Sequence, residues 1–124
     1  MSAKNRSFLS GLRHALEGVK EAVKSERSMR IHVAMAALVV VFGFLLNISR
    51  TEWIACISLF GLVIGAELGN TALETAVDIC SPQHDPRAKR VKDIAAAAVL
   101  AVALAAAVVG LLIFVPKIWK VFFG

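Results

Sequence analysis

The sequence predicts an all-α integral membrane protein, an N-terminal amphipathic surface helix followed by three transmembrane helices, and three observations carry that reading. Hydrophobic residues make up 58% of the 124-residue chain, against roughly 45 to 50% in a soluble domain. The mean hydropathy is +0.73, an excess that calls for a lipid solvent. The apolar residues gather in long runs, and a helix needs about 20 of them to cross a hydrocarbon core of about 30 Å. The length therefore allows three or four crossings and no separate soluble domain.

The first element is the amphipathic one, over residues 7–25. Phe8, Leu12, Ala15, Leu16, Val19 and Val23 recur at helical spacing, with Arg13, Glu17, Lys20, Glu21 and Lys24 between them, the pattern of a helix lying at a membrane surface. The first span follows at 31–48, free of formal charge, and 47–52 reads as a short hairpin loop. The second span, 53–78, opens at the interfacial anchor Trp53 and stays apolar to Ala66, then continues as a helix carrying polar residues beyond the membrane. A polar segment, 80–93, holds Pro82 and Pro86 and breaks the helix. The third span, 94–115, is alanine-rich and is expected to stop at Pro116, with Trp119 and Phe122 as a second aromatic anchor.

Lys and Arg set the orientation. The N-terminal segment carries Lys4, Arg6, Arg13, Lys20, Lys24, Arg27 and Arg30, and the second loop carries Arg87, Lys89, Arg90 and Lys92. Both belong on the cytoplasmic side of the membrane, which leaves the first loop and the C-terminus outside. The same topology explains the net charge of +5; no nucleic-acid motif accompanies it, so nucleic acid is not an expected partner. Cys56 and Cys80 have no metal-binding spacing and read as free thiols. About 30 mixed-charge residues precede the first apolar run, unlike a signal peptide, and no cleavage is expected. Gly61, Gly65 and Gly69 make a small-residue ladder on the second span, as Ala95, Ala98, Ala101 and Ala105 do on the third. Such faces let helices approach closely, within the chain or between copies.

The second span ends in the unusual feature. Glu67, Asn70, Glu74 and Asp78 are spaced to share one helix face, with Thr71 beside them. A carboxylate within a bilayer costs roughly 2.5 to 3.5 kcal/mol on insertion scales, so it calls for a partner or a purpose. Glu67 lies roughly 21 Å along the helix from Trp53, just beneath the cytoplasmic boundary, and Glu74 about 10 Å further, at that boundary or beyond. Glu26 precedes the first span, and Lys92 and Asp93 precede the third, so three helix ends deliver charge to one plane. One or two carboxylates suit Mg²⁺ with phosphate oxygens as further ligands, and Lys92 can meet phosphate as a point charge. The competing reading pairs these charges with Arg27, Arg30, Arg90 and Lys92 at the interface. The chain contains no P-loop or kinase-type glycine-rich loop, so a nucleotide would be held by charge and metal. His14, His32 and His84 have no mutual metal-ligand spacing.

The stretch from Glu67 through Leu68, Gly69, Asn70, Thr71 and Glu74 to Asp78, then His84, then the run from Ala88 to Lys92 and Asp93, resembles the prokaryotic diacylglycerol kinase and undecaprenol kinase family. Glu26, Arg30 and His32 match its N-terminal pattern, and the resemblance covers nearly the whole chain. It implies a homotrimer whose active sites lie between neighbouring subunits and transfer the γ-phosphoryl group of ATP to a membrane lipid hydroxyl. By the same resemblance Glu67 is the catalytic base and Glu26 and Glu74 are magnesium ligands. His84, Lys92 and Asp93 join those two carboxylates around the nucleotide, with Asn70, Asp78 and Arg30 in support. Thr71 and the Arg30-Ile31-His32 run favour the undecaprenol branch, with diacylglycerol as the alternative acceptor. Two other classes compete: a small proton-coupled transporter, which would also place a glutamate in a span, and a purely structural protein.

Overall fold

The computed structural model describes residues 3–124, which form four α-helices: α1 (Ala3–Ser25), α2 (Arg27–Leu45), α3 (Arg50–Cys80) and α4 (Pro86–Phe123). The last three are long and apolar enough to cross a membrane. No strand occurs among the described residues, in agreement with the all-α membrane class read from the sequence.

Helix α1 leaves its apolar stripe outside: Phe8 is 71% and Leu16 62% exposed. A stripe left largely uncovered by its own chain, beside a basic face, is what an interfacial helix requires. Only Ala22, near its end, is buried. The chain then turns at Glu26, whose extended backbone makes it the N-cap of α2 without a side-chain bond. Arg30 closes this corner by folding back, its Nη1 donating at 2.9 Å to the carbonyls of both Val23 and Lys24. Those carbonyls end α1 without intrahelical partners, so one guanidinium satisfies two orphans. Met29, fully buried, lies in the corner.

The connection between α2 and α3 is four residues long and fully specified by local bonds. Asn47 takes a left-handed conformation at φ 51°, the Asn47 N–H donates to Phe44 O, and the Ile48 N–H donates to Gly43 O. This is a Schellman ending, with asparagine where glycine is commoner and buried Ile48 supplying the apolar contact. Ser49 then caps α3 through a reciprocal pair: Ser49 Oγ accepts from the Glu52 N–H at 3.2 Å, and Glu52 Oε1 accepts from the Ser49 N–H at 2.9 Å. Gly43 lets this hairpin close, because a Cβ there would stand 2.6 Å from the Trp53 ring. Glu52 also receives Lys117 Nζ at 3.1 Å, which ties the start of α3 to the far end of α4.

Helix boundaries differ from the sequence reading, α3 running Arg50–Cys80 where the span was placed at 53–78. Helix α2 begins at Arg27 and ends at Leu45, where the span was placed at 31–48. The helix breaks over 81–85, within the segment expected to break it. Pro86 begins α4 at a position whose N–H would be unpaired anyway, with Asp85 Oδ1 accepting from the Arg87 N–H at 2.8 Å. Arg87 beside Asp85 also holds that carboxyl below its usual range. Pro116, expected to stop the third span, lies inside α4, which runs on to Phe123. Proline removes one backbone donor, a loss that membrane helices accommodate, and Lys117 and the Trp119–Phe123 ring pair at 4.4 Å follow it on the continuing helix.

Helix α3 is the centre of the molecule, with α2 and α4 packed against it. Val63, Val99 and Ile113 are buried there, whereas Phe44, Leu45 and Leu112 are at least 70% exposed. Such surfaces are stable only in hydrocarbon or against another copy. The glycine ladder points away from both neighbours: a Cβ at Gly61, Gly65 or Gly69 would meet nothing within 4 Å. Its small residues therefore serve no contact within the chain.

Candidate active site

The acidic stripe of α3 has one buried member. Glu67 is 3% exposed, and both of its oxygens are met from α2. Ser28 Oγ donates to Oε2 at 3.1 Å, and His32 Nε2 lies 3.2 Å from Oε1. A buried carboxylate needs such partners, because desolvation without hydrogen bonds costs several kcal/mol. Neither Ser28 nor His32 stood among the expected site residues. The missing signal was the start of α2: with the helix beginning at 31, Ser28 falls outside it. With the helix beginning at Arg27, Ser28 and His32 are one turn apart on a single face.

One turn further along α3, Asn70 Oδ1 and Thr71 Oγ1 are buried without a hydrogen-bond partner among the described residues. Buried polar atoms are rarely left so, and these two border the buried glutamate in sequence and in the helix. Beyond them Asp78 accepts a hydrogen bond from Lys92 Nζ, which bridges α3 to α4. Glu74 acts on the same ammonium by its charge. An ammonium carries three donors, so Lys92 retains capacity beyond its bond to Asp78.

The remaining expected residues are placed as follows. Glu26 is at the α1–α2 corner, two residues before Ser28, and half-buried. Arg30 is engaged with the end of α1. Asp93 pairs with Lys89 one turn earlier on α4, at 2.6 Å, on an exposed face. His84 is exposed in the α3–α4 connection, beside Asp85 in sequence. The structure thus joins Glu67 to α2 and Asp78 to Lys92, and keeps Asp93 and His84 outside those bonded groups. Among the described residues no three His, Cys, Asp or Glu side chains gather as a metal cage.

From this end of the bundle a half-enclosed groove of about 760 Å³ runs between α2 and α4 along α3. His32 stands among its lining residues, with Val39, Phe60, Ala107 and Phe114 further along. Apart from His32, only Trp53 and Cys56 bring a polar side-chain atom to its walls. The groove thus reaches His32, the residue that touches Glu67.

Comparison with known proteins places these features. The family described as prokaryotic diacylglycerol kinase matches residues 13–114. The undecaprenol kinase of Bacillus subtilis (strain 168) is 42% identical over 114 residues, 92% of this chain and 92% of that protein. A diacylglycerol kinase of Synechocystis is 37% identical over 90% of this chain, which spans 65% of that relative's length. The diacylglycerol kinase of Haemophilus influenzae is 32% identical over 74% of this chain and 78% of its own. With a match that takes in α2, α3 with its acidic stripe, and most of α4, the chain belongs to the prokaryotic diacylglycerol kinase family.

Proposed function

We propose that this lipid kinase transfers the γ-phosphoryl group of ATP to the terminal hydroxyl of undecaprenol or a similar polyprenol, at the cytoplasmic face of a bacterial plasma membrane. The observation that carries the choice of acceptor is the groove, whose walls are mostly apolar and which reaches His32, the residue in contact with Glu67. A polyprenol is a hydrocarbon with one polar group at its end, so it needs recognition at one point only. Diacylglycerol adds two ester groups, and Trp53 and Cys56 are the only other polar side chains along the walls. The 42% identity to an undecaprenol kinase over nearly the full length supports the same acceptor. Family membership removes the transporter and purely structural readings.

In this reading Glu67 takes the proton of the lipid hydroxyl. Its place beneath the boundary lets a membrane-embedded hydroxyl reach it while the nucleotide stays in water. Phosphoryl transfer asks a protein chiefly for positioning and charge neutralisation, which a chain of 124 residues can supply. Lys92, held by Asp78, offers its spare donors to phosphate oxygens, and Asp93 and His84 line the water side around the nucleotide. Asn70, one turn from Glu67, has an unpaired carbonyl oxygen for the hydroxyl end of the lipid. Arg30 supports the corner that carries Glu26.

Mg²⁺ fits this donor set. The Glu26 carboxylate makes no cap bond, Glu74 acts on the Lys92 ammonium by its charge, and one or two carboxylates are what an ion that keeps its waters and takes phosphate oxygens needs from a protein. Glu26 and Glu74 would hold the ion, which supplies neutralisation of the phosphate charge when bound.

Purified protein in mixed micelles with Mg-ATP and either lipid tests the acceptor: phosphate transferred preferentially to undecaprenol supports the proposal, and preference for diacylglycerol replaces the acceptor but not the mechanism. The open glycine ladder and the apolar outer surfaces support a homotrimer with sites shared between copies. Cross-linking in native membranes is expected to stop at three copies, and a product that stays monomeric sinks the trimer.

A further inference from the structure

Among the described residues Glu67 is the one ionisable side chain that is buried, and it is held at both oxygens by one face of α2. A single contact would leave a carboxylate free to turn about it. Two contacts, one on Oε1 and one on Oε2, determine both its plane and its direction. A carboxylate has about four lone-pair sites, so the Ser28 hydroxyl and the His32 imidazole leave others for an incoming hydroxyl. His32 has a second setting as well, because it lines the groove that opens beside it. The imidazole thus touches the base and the path to the base.

We infer that His32 and Ser28 are positioning residues for Glu67: they hold the carboxylate in the orientation that receives the acceptor proton, and His32 sets how far along the groove the lipid hydroxyl travels. The inference rests on the reading of Glu67 as the base. In the step it serves, the lipid O–H proton passes to Glu67 as the lipid oxygen bonds to the γ-phosphorus. The bond from that phosphorus to the β–γ bridging oxygen breaks, and ADP leaves with the electron pair. His32 and Ser28 neither gain nor lose a proton in that step.

The test measures transfer from Mg-ATP to whichever of undecaprenol and diacylglycerol the unaltered chain prefers, for His32→Leu, His32→Gln and Ser28→Ala. Each is also combined with Glu67→Gln and followed long enough to read residual transfer. Loss of positioning is expected to lower kcat by about 10- to 100-fold in His32→Leu and Ser28→Ala, the scale of a misplaced general base. The KM for ATP stays within about two-fold, because nucleotide binding is untouched. His32→Gln, whose amide N–H can reach the same oxygen, recovers most of the loss. In the Glu67→Gln background the substitutions cost nothing more, since the group they position is no longer a base. Equal losses in both backgrounds, or no rescue by glutamine, overturn the inference. Failure of the underlying reading looks different: Glu67→Gln with full kcat removes the base itself, whereas an inactive Glu67→Gln beside fully active His32→Leu and Ser28→Ala removes only the positioning. Should His32→Leu fail to fold, Ser28→Ala, at an exposed position, carries the same comparison.

Discussion

Replacing Glu67 by glutamine is expected to slow lipid phosphorylation by roughly 10²- to 10⁴-fold, the contribution of a positioned general base. The substitution keeps the shape of the side chain and an acceptor oxygen for Ser28 Oγ, the bond that joins α2 to α3 at 3.1 Å in the unaltered chain. What it removes is the second oxygen's capacity to take a proton. It also replaces a buried group that needs two partners with a neutral one that needs less solvation. The thermal midpoint in micelles is therefore expected to hold or rise while kcat falls, a combination that damage to the fold cannot produce. A variant with reduced kcat and an equally reduced midpoint would count against the catalytic role.

Glu26→Gln and Glu74→Gln are expected to act on the nucleotide side instead. Each removes half of the proposed magnesium ligand set, and an ion that keeps its own waters is held by few protein oxygens, so the loss of one counts heavily. Metal affinity falls by about 10- to 100-fold when even an outer partner of a metal site is lost, so loss of a direct ligand is expected to reach at least on the order of 100-fold in kcat/KM. The loss shrinks as Mg²⁺ is raised, because mass action refills a weakened site. Titration of transfer rate against Mg²⁺ checks this. A loss insensitive to Mg²⁺ would assign the two carboxylates to folding or to charge pairing, and the corner at Glu26, where Arg30 ties the end of α1, is where such a role would be found.

Much of this molecule is legible along the chain because a lipid solvent makes simple demands. Backbone groups in hydrocarbon must be paired internally, so long apolar runs become helices, and the spacing of Glu67, Asn70, Glu74 and Asp78 places them on one face. Helix ends are less legible. Pro116 carries the ordinary signature of a stop, yet α4 passes through it. The signature is calibrated on water, where a helix end is readily solvated, whereas in or near a membrane a continuing helix keeps more of its groups paired. Arg27 and Arg30 make the start of α2 look like a charged linker, although Arg30 spends its charge on the end of α1 and the helix begins before it.

The sequence by itself determined the class, the three crossings, the acidic face and the family likeness, since each depends on composition, helical period or the identity of residues a few positions apart. Only the tertiary structure decided what those residues meet. Spacing shows that Glu67 is on the polar face, but not that α2 covers it, that Ser28 and His32 hold its oxygens, or that Lys92 crosses from α4 to Asp78. It shows a glycine ladder, but not that the ladder faces away from α2 and α4. A period is a property of one helix, while a contact depends on the rotation of two helices about their axes. That rotation is set by packing across the whole interface, where turns such as the one Gly43 and Trp53 close decide which faces meet.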